Sequence, residues 1–173
     1  RGGNVGIAAL ADAAGLKRPI TAERIAFGLA PRLNAAGRLA DAGLAAELLA
    51  TADPARAAAL AAELDGLNAE RRRVEQDVQE AAAAALAPQL EAERRVLLAA
   101  GEGWHPGVLG IVAGRLAERF HRPVFVAGVR EEAATGSARG PAGFDIGAAL
   151  HAAGAAGLTL KAGGHARAGG FTV

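Results

Sequence analysis

No cysteine occurs anywhere in these 173 residues, which excludes disulfides and thiolate metal sites. Methionine and tyrosine are absent too, and Trp104 is the only tryptophan. With aromatics at 3%, a platform of rings for stacking single-stranded bases is not expected in this part of the protein. An excess of one charge sign is equally lacking, since 19 Lys and Arg against 18 Asp and Glu leave a net charge of +1. That is too little for generic capture of polyanions, so a nucleic-acid contact has to come from a few placed arginines. No apolar run approaches a membrane span and no signal-peptide pattern stands at Arg1, so a cytoplasmic chain without membrane association is expected. Methionine is missing even at position 1, and a strand-like run reaches the last residue, so a piece of something longer is expected.

Metal-ligand clusters are missing as well. Asp12, Asp41, Asp53, Asp65, Asp77 and Asp145 are scattered, with no Asp-x-Asp and no adjacent pair of histidines. A two-metal hydrolase needs several such groups converging within about 4 Å of both ions. The expectation is therefore no metal ligands here, and no hydrolysis by this chain alone.

What is present is 51% hydrophobic content, ample for a core, in an alphabet skewed to Ala, Gly and Arg. That skew makes the rare residues more telling: Ser137 is the only serine, and Asn34 is one of three asparagines. Residues 1–50 read as short helices joined by polar turns, with Thr21 a candidate N-cap and Pro31 an interruption. Asp53-Pro54 signals a helix start, and no proline follows until Pro88. Leu60, Leu64, Leu67, Arg71, Val74, Val78, Ala81 and Ala85 repeat four-three-four-three, the stripe of one face. Such a helix is on the order of 50 Å long and carries charges at its middle, so it reads as a strut between domains, with a coiled-coil seam the alternative.

Beyond Pro88, strands are predicted over residues 95–99, 123–127 and 134–139, with strand-like ends at 158–160 and 171–173. Helices are predicted over 108–120 and 145–153, the second capped by Asp145. Alternating helices and strands make this part a small α/β domain.

Four places bring chemistry together. Gly163-Gly164-His165-Ala166-Arg167-Ala168-Gly169 reads as a turn whose free amides can form an anion nest, with His165 and Arg167 as further donors; a plain tight turn into a final strand is the alternative. In Gly136-Ser137-Ala138-Arg139-Gly140, a strand would put a hydroxyl and a guanidinium side by side, a phosphate-reading pair. Glu102-Gly103-Trp104-His105-Pro106-Gly107 lies where a strand gives way to a helix, so Trp104 and His105 can line an anion site at the helix start, or Trp104 can close the core. Asn34 and Arg38 are four apart, on one face if helical, with Gly37 allowing close approach. His121, His151 and the Arg71-Arg72-Arg73 run read as incidental surface features.

Five runs, in order, resemble the RecJ family: Leu29-Ala30-Pro31-Arg32-Leu33-Asn34-Ala35-Ala36-Gly37-Arg38-Leu39, Leu67-Asn68-Ala69-Glu70-Arg71-Arg72, Glu102-Gly103-Trp104-His105-Pro106-Gly107 with the helix after it, Gly136-Ser137-Ala138-Arg139, and the Gly-Gly-His segment. These are bacterial single-strand-specific 5′→3′ DNA exonucleases of the DHH phosphoesterase superfamily. The resemblance implies a DHH domain holding two divalent ions, Mn²⁺ or Mg²⁺, a long helix, and a smaller α/β DHHA1 domain, with single-stranded DNA passing between the domains. It assigns residues 1–52 to the C-terminal part of the DHH domain, 53–88 to the connecting helix and 89–173 to DHHA1. The Asp-His-His element lies outside the chain.

The same resemblance gives Ser137 and Arg139 a backbone or terminal phosphate to grip. It turns the catalytic His165, with Gly163 and Gly164, toward the metal centre, and has Arg38 contact phosphate from the DHH side, with Asn34 beside it. His105, from its place at the helix start, completes the expected phosphate-binding set. Arg167 stands where family members often have a small residue. A monomer acting in DNA repair and recombination is implied, with a single-strand-binding protein or helicase as partner. Two alternatives remain open: a phosphodiesterase for short oligonucleotides or cyclic dinucleotides, whose DHHA1 domain carries a similar Gly-Gly-His, and a non-catalytic scaffold using the long helix.

Overall fold

The computed structural model describes residues 3–131 and 133–173. They form two compact units, which divide between Arg73 and Val74.

The first unit is helical: α1 (Val5–Ala13), α2 (Ala22–Arg24), α3 (Ala30–Leu39), α4 (Gly43–Ala50) and the first part of α5 (Pro54–Glu91). Side chains satisfy the leading amides, Asn4 accepting from the Ile7 N–H at 2.9 Å and Thr21 Oγ1 from the Arg24 N–H at 3.3 Å. Leu10, Leu29, Leu48, Leu60 and Leu64 form its core. Pro31 does not interrupt the chain as expected. A π-helical stretch, Ile25–Leu29, precedes α3, and the Ala30 N–H bonds back to Ile25. That register shift puts Pro31 in the first turn of α3, where a missing N–H costs little.

Asp53 starts α5 by accepting from the Ala55 N–H at 2.9 Å, and the helix runs 38 residues, through Pro88, to Glu91. Its buried positions are Ala57, Leu60, Ala61, Leu64, Asn68, Arg71, Glu75, Val78, Ala82 and Leu86. The expected stripe had a period of 3.5, whereas the helix turns every 3.6 residues or so, and the two part company toward the C-terminus. Ala81 and Ala85 are therefore exposed, and their neighbours Ala82 and Leu86 are buried. Arg71 is also no solvated charge: it is buried and donates to Asn68 Oδ1 at 3.1 Å.

The second unit contains the rest of α5 and a five-stranded sheet ordered β1 (Leu97–Glu102), β2 (Val124–Arg130), β3 (Ala133–Arg139), β5 (Ala168–Thr172), β4 (Lys161–His165). Only β1 and β2 are parallel, joined by the crossover helix α6 (Pro106–Phe120). One sheet face sends Leu97, Ala99, Val124 and Val126 into a core with α6 and with Val78, Ala82 and Leu86 of α5. On the other face, Ile146 and Leu150 of α7 (Ile146–Ala155) pack with Ala127, Ala138 and Phe171. Asp145 caps α7 as expected, accepting from the Ala148 N–H at 2.9 Å.

Two expectations are corrected in this unit. Residues 158–160 are not a strand, and Gly163-Gly164-His165 is not a turn. The glycine-rich segment is itself β4, and the hairpin to β5 turns at Ala166 and Arg167. Glycine weakens a strand, but here the partner backbone crowds it: a Cβ at Gly164 would lie 2.5 Å from the Cα of Gly169.

Candidate phosphate-binding site

Paired residues of adjacent strands point to the same sheet face, so the ladder registers identify which side chains meet. Ser137 of β3 pairs with Val126 on one side and Gly170 on the other, and Gly170 pairs with Gly163. Arg139 pairs with Val124 and Ala168, and Ala168 pairs with His165. Two neighbouring rungs thus place Ser137, Arg139, Gly163 and His165 on the face that α6 covers. Arg139 and His165 stand two strands apart, about 10 Å at ordinary strand spacing.

The β4–β5 half of that face is open. A Cβ on Gly163 would meet nothing within 4 Å, and one on Gly170 only a carbonyl oxygen at 3.7 Å. A shallow cavity of about 360 Å³ lies there, with Gly163, Gly164, Gly169 and Gly170 in its lining, together with Ser137, Arg139 and His165. The glycines allow a ligand to approach the backbone itself.

The polar groups around this floor are held in place. Arg139 Nη1 donates to Ser137 Oγ at 2.9 Å and to the Ala138 carbonyl at 2.8 Å, and Ser137 Oγ donates to the Gly169 carbonyl at 3.3 Å. His165 Nδ1 accepts from the Arg167 N–H at 3.4 Å, which puts the proton of a neutral imidazole on Nε2. His165 is exposed, whereas Ser137 and Arg139 are half-buried.

The helix α6 makes room for this arrangement with glycine, a feature the sequence reading missed. A Cβ on Gly110 would sit 2.8 Å from Arg139 Nη2 and 3.2 Å from Ser137 Oγ, and one on Gly114 3.9 Å from Arg139 Cγ. The signal was two glycines four apart inside an amphipathic helix, where each costs roughly 1 kcal/mol against alanine.

The remaining expected residues lie elsewhere. His105 caps α6, its Nδ1 accepting from the Gly107 N–H at 3.1 Å, and it does not line the cavity. Trp104 is half-buried and packs against the β1–α6 core, its indole over Gly101. Asn34 and Arg38 lie one turn apart on α3 in the first unit, Asn34 exposed and Arg38 half-buried. Among the described residues, no group of three or more His, Asp or Glu can hold a metal ion, and no helix is long and apolar enough to cross a membrane.

Residues 93–173 match the DHHA1 domain family. The chain is 42% identical to the single-stranded-DNA-specific exonuclease RecJ of Bacillus subtilis over 153 residues, and 44% identical to that of Dickeya dadantii over 161. Those alignments take in 81% and 89% of this chain but only 19% and 28% of the relatives' length. Crystal structures of Thermus thermophilus RecJ with Mg²⁺ and with Mn²⁺ each superpose at a TM-score of 0.82 and 39% identity, over 97% of this chain. The chain spans 25% and 24% of those two structures.

Proposed function

We propose that this chain, which is RecJ-type and carries a DHHA1 domain at residues 93–173, is the phosphate-gripping part of a single-strand-specific 5′→3′ DNA exonuclease. The observation that carries the proposal is the convergence of Ser137, Arg139 and His165 around a glycine floor on one sheet face. A phosphate seated on that floor meets the planar fork of Arg139, the hydroxyl of Ser137 and the Nε2–H of His165. His165 is the group we assign to catalysis, donating to a non-bridging oxygen as charge develops there. Arg38, with Asn34 a turn away on α3, supplies a further phosphate contact.

Mg²⁺ and Mn²⁺ accompany the solved RecJ structures, but the described residues here offer no cluster of ligands for either ion. In our reading this chain's share is phosphate binding and charge stabilisation, with the ions of the whole enzyme held by other residues. The division of labour we propose keeps residues 1–52 with a DHH domain, 53–88 as the connector and 89–173 as DHHA1. It also keeps a cytoplasmic monomer working in DNA repair and recombination, alongside a single-strand-binding protein or helicase.

The test is titration with a 5′-phosphorylated single-stranded oligonucleotide in Mn²⁺, following binding and cleavage for the wild type and Arg139→Ala. The expected result is binding without cleavage, weakened about tenfold or more by the substitution. With about three phosphate contacts, the log–log salt slope is expected near −2. No binding by either protein favours the scaffold reading, and cleavage overturns the assignment of hydrolysis to residues outside the chain.

A further inference from the structure

Arg139 borders a second, larger cavity of about 460 Å³, which shares Arg139 and Ala168 with the glycine-floored one. Its walls include Ala117, Pro141 and Ala142, and its polar lining adds Glu118, His121 and Arg167. The volume is that of a small-molecule site. The charge pattern is wrong for a second anion, because a carboxylate stands among the cations. It suits a flat heteroaromatic ring, which needs apolar surface against its faces and both donors and acceptors around its edge. Carboxylates accept from the exocyclic amines of bases, and guanidinium groups donate to their ring nitrogens and carbonyls.

Two backbone features aim side chains at this place. His121 closes α6 in the left-handed conformation, φ 52°, where glycine is the inexpensive choice and a side chain is disfavoured. Arg167 sits in the two-residue turn of the β4–β5 hairpin, next to the Ala168 shared by both cavities. Both residues looked incidental or anomalous in the sequence, and both line one cavity in the fold.

We propose that this cavity receives the nucleobase of the nucleotide whose phosphate lies on the glycine floor. The inference rests on the phosphate reading above and extends it from a backbone contact to recognition of a whole terminal nucleotide. Arg139 is the divider between the two, with phosphate on one side and base on the other.

The experiment is a residue-resolved NMR titration of the ¹⁵N-labelled chain with inorganic phosphate, deoxyribose 5-phosphate and deoxyadenosine 5′-monophosphate. All three ligands are expected to shift the Ser137, Gly163 and Gly164 amides. Only the nucleotide is expected to shift the Glu118 and His121 amides as well, and to bind several-fold more tightly than the sugar phosphate. Glu118→Ala and Arg167→Ala should each move that preference toward one, their amide spectra reporting that the fold is kept. Equal affinity and equal shifts for nucleotide and sugar phosphate would overturn the base pocket and leave the phosphate site standing. A Ser137–Gly163 region that responds to none of the three would overturn the phosphate reading, and the base pocket with it.

Discussion

Arg139 reaches Ser137 along its own strand, Nη1 to Oγ at 2.9 Å, beneath a helix that carries glycine at the point of closest approach. Gly110→Ala therefore separates binding from stability. The added methyl would sit 2.8 Å from Arg139 Nη2, the far end of a flexible side chain, so the arginine moves and the fold is kept. Alanine also favours the helix by about 1 kcal/mol. The expected outcome is an unchanged or slightly raised melting temperature with oligonucleotide affinity down about tenfold, about 1.4 kcal/mol. Affinity equal to wild type would show that the arginine's present position is not needed.

Gly163 and Gly169 form a second contrast. Gly163 has open space where a Cβ would go, whereas a Cβ on Gly169 would lie 2.3 Å from Leu150 Cδ1 and 2.8 Å from the Gly163 carbonyl. Gly169→Ala is expected to cost about 1–3 kcal/mol in urea unfolding through overpacking. Gly163→Ala is expected to leave stability unchanged and to weaken phosphate binding, because its methyl stands on the floor of the cavity. Equal destabilisation by both would contradict the open face.

Glu75 is 2% exposed and its carboxylate meets Arg115 Nη1 at 2.6 Å. Arg115→Ala removes a charged partner from a buried acid and is expected to destabilise the protein by about 1–3 kcal/mol, measured by denaturant titration. Arg115→Lys should recover part of that loss.

Acid should weaken the protein through two helix-surface pairs. The Arg56 guanidinium, donating to Glu47 at 2.5 and 2.7 Å, holds the Glu47 carboxyl below its usual value of 4.5, and Arg73 does the same for Glu70. A depressed folded value means the stabilisation is present above about pH 4.5 and lost as pH falls through the folded value. Thermal unfolding at pH 7 and pH 3 should therefore differ less in the Glu47→Gln, Glu70→Gln double variant than in the wild type. Both pairs are exposed, so the difference should shrink in high salt.

Much of the local structure was legible in the residues. Thr21, Asp53 and Asp145 all accept from amides at helix starts, where their side chains suit that task. The Ser137–Arg139 pair was legible because strand alternation depends on adjacent positions alone. The exposed Ala81 and Ala85 show where such reading drifts: a small error in period grows over a 38-residue helix until it selects the wrong neighbour. Pro31 shows a second limit, since a register shift one turn earlier removed the conflict the proline would have caused.

By itself the sequence determined the elements set by neighbours a few residues apart, namely the caps, the long helix, the α/β alternation and the side-by-side placing of Ser137 and Arg139 on one face of β3. It also carried enough ordered motifs to place the chain beside RecJ. Only the tertiary structure decided that the Gly-Gly-His segment is a strand and that His165 lies across Ala168 from Arg139 on the same face. The reason is register. A one-residue slip between β3, β5 and β4 would turn His165 to the opposite face, and what prevents it is long-range packing of Phe171, Ile146 and Leu150 on the far side of the sheet.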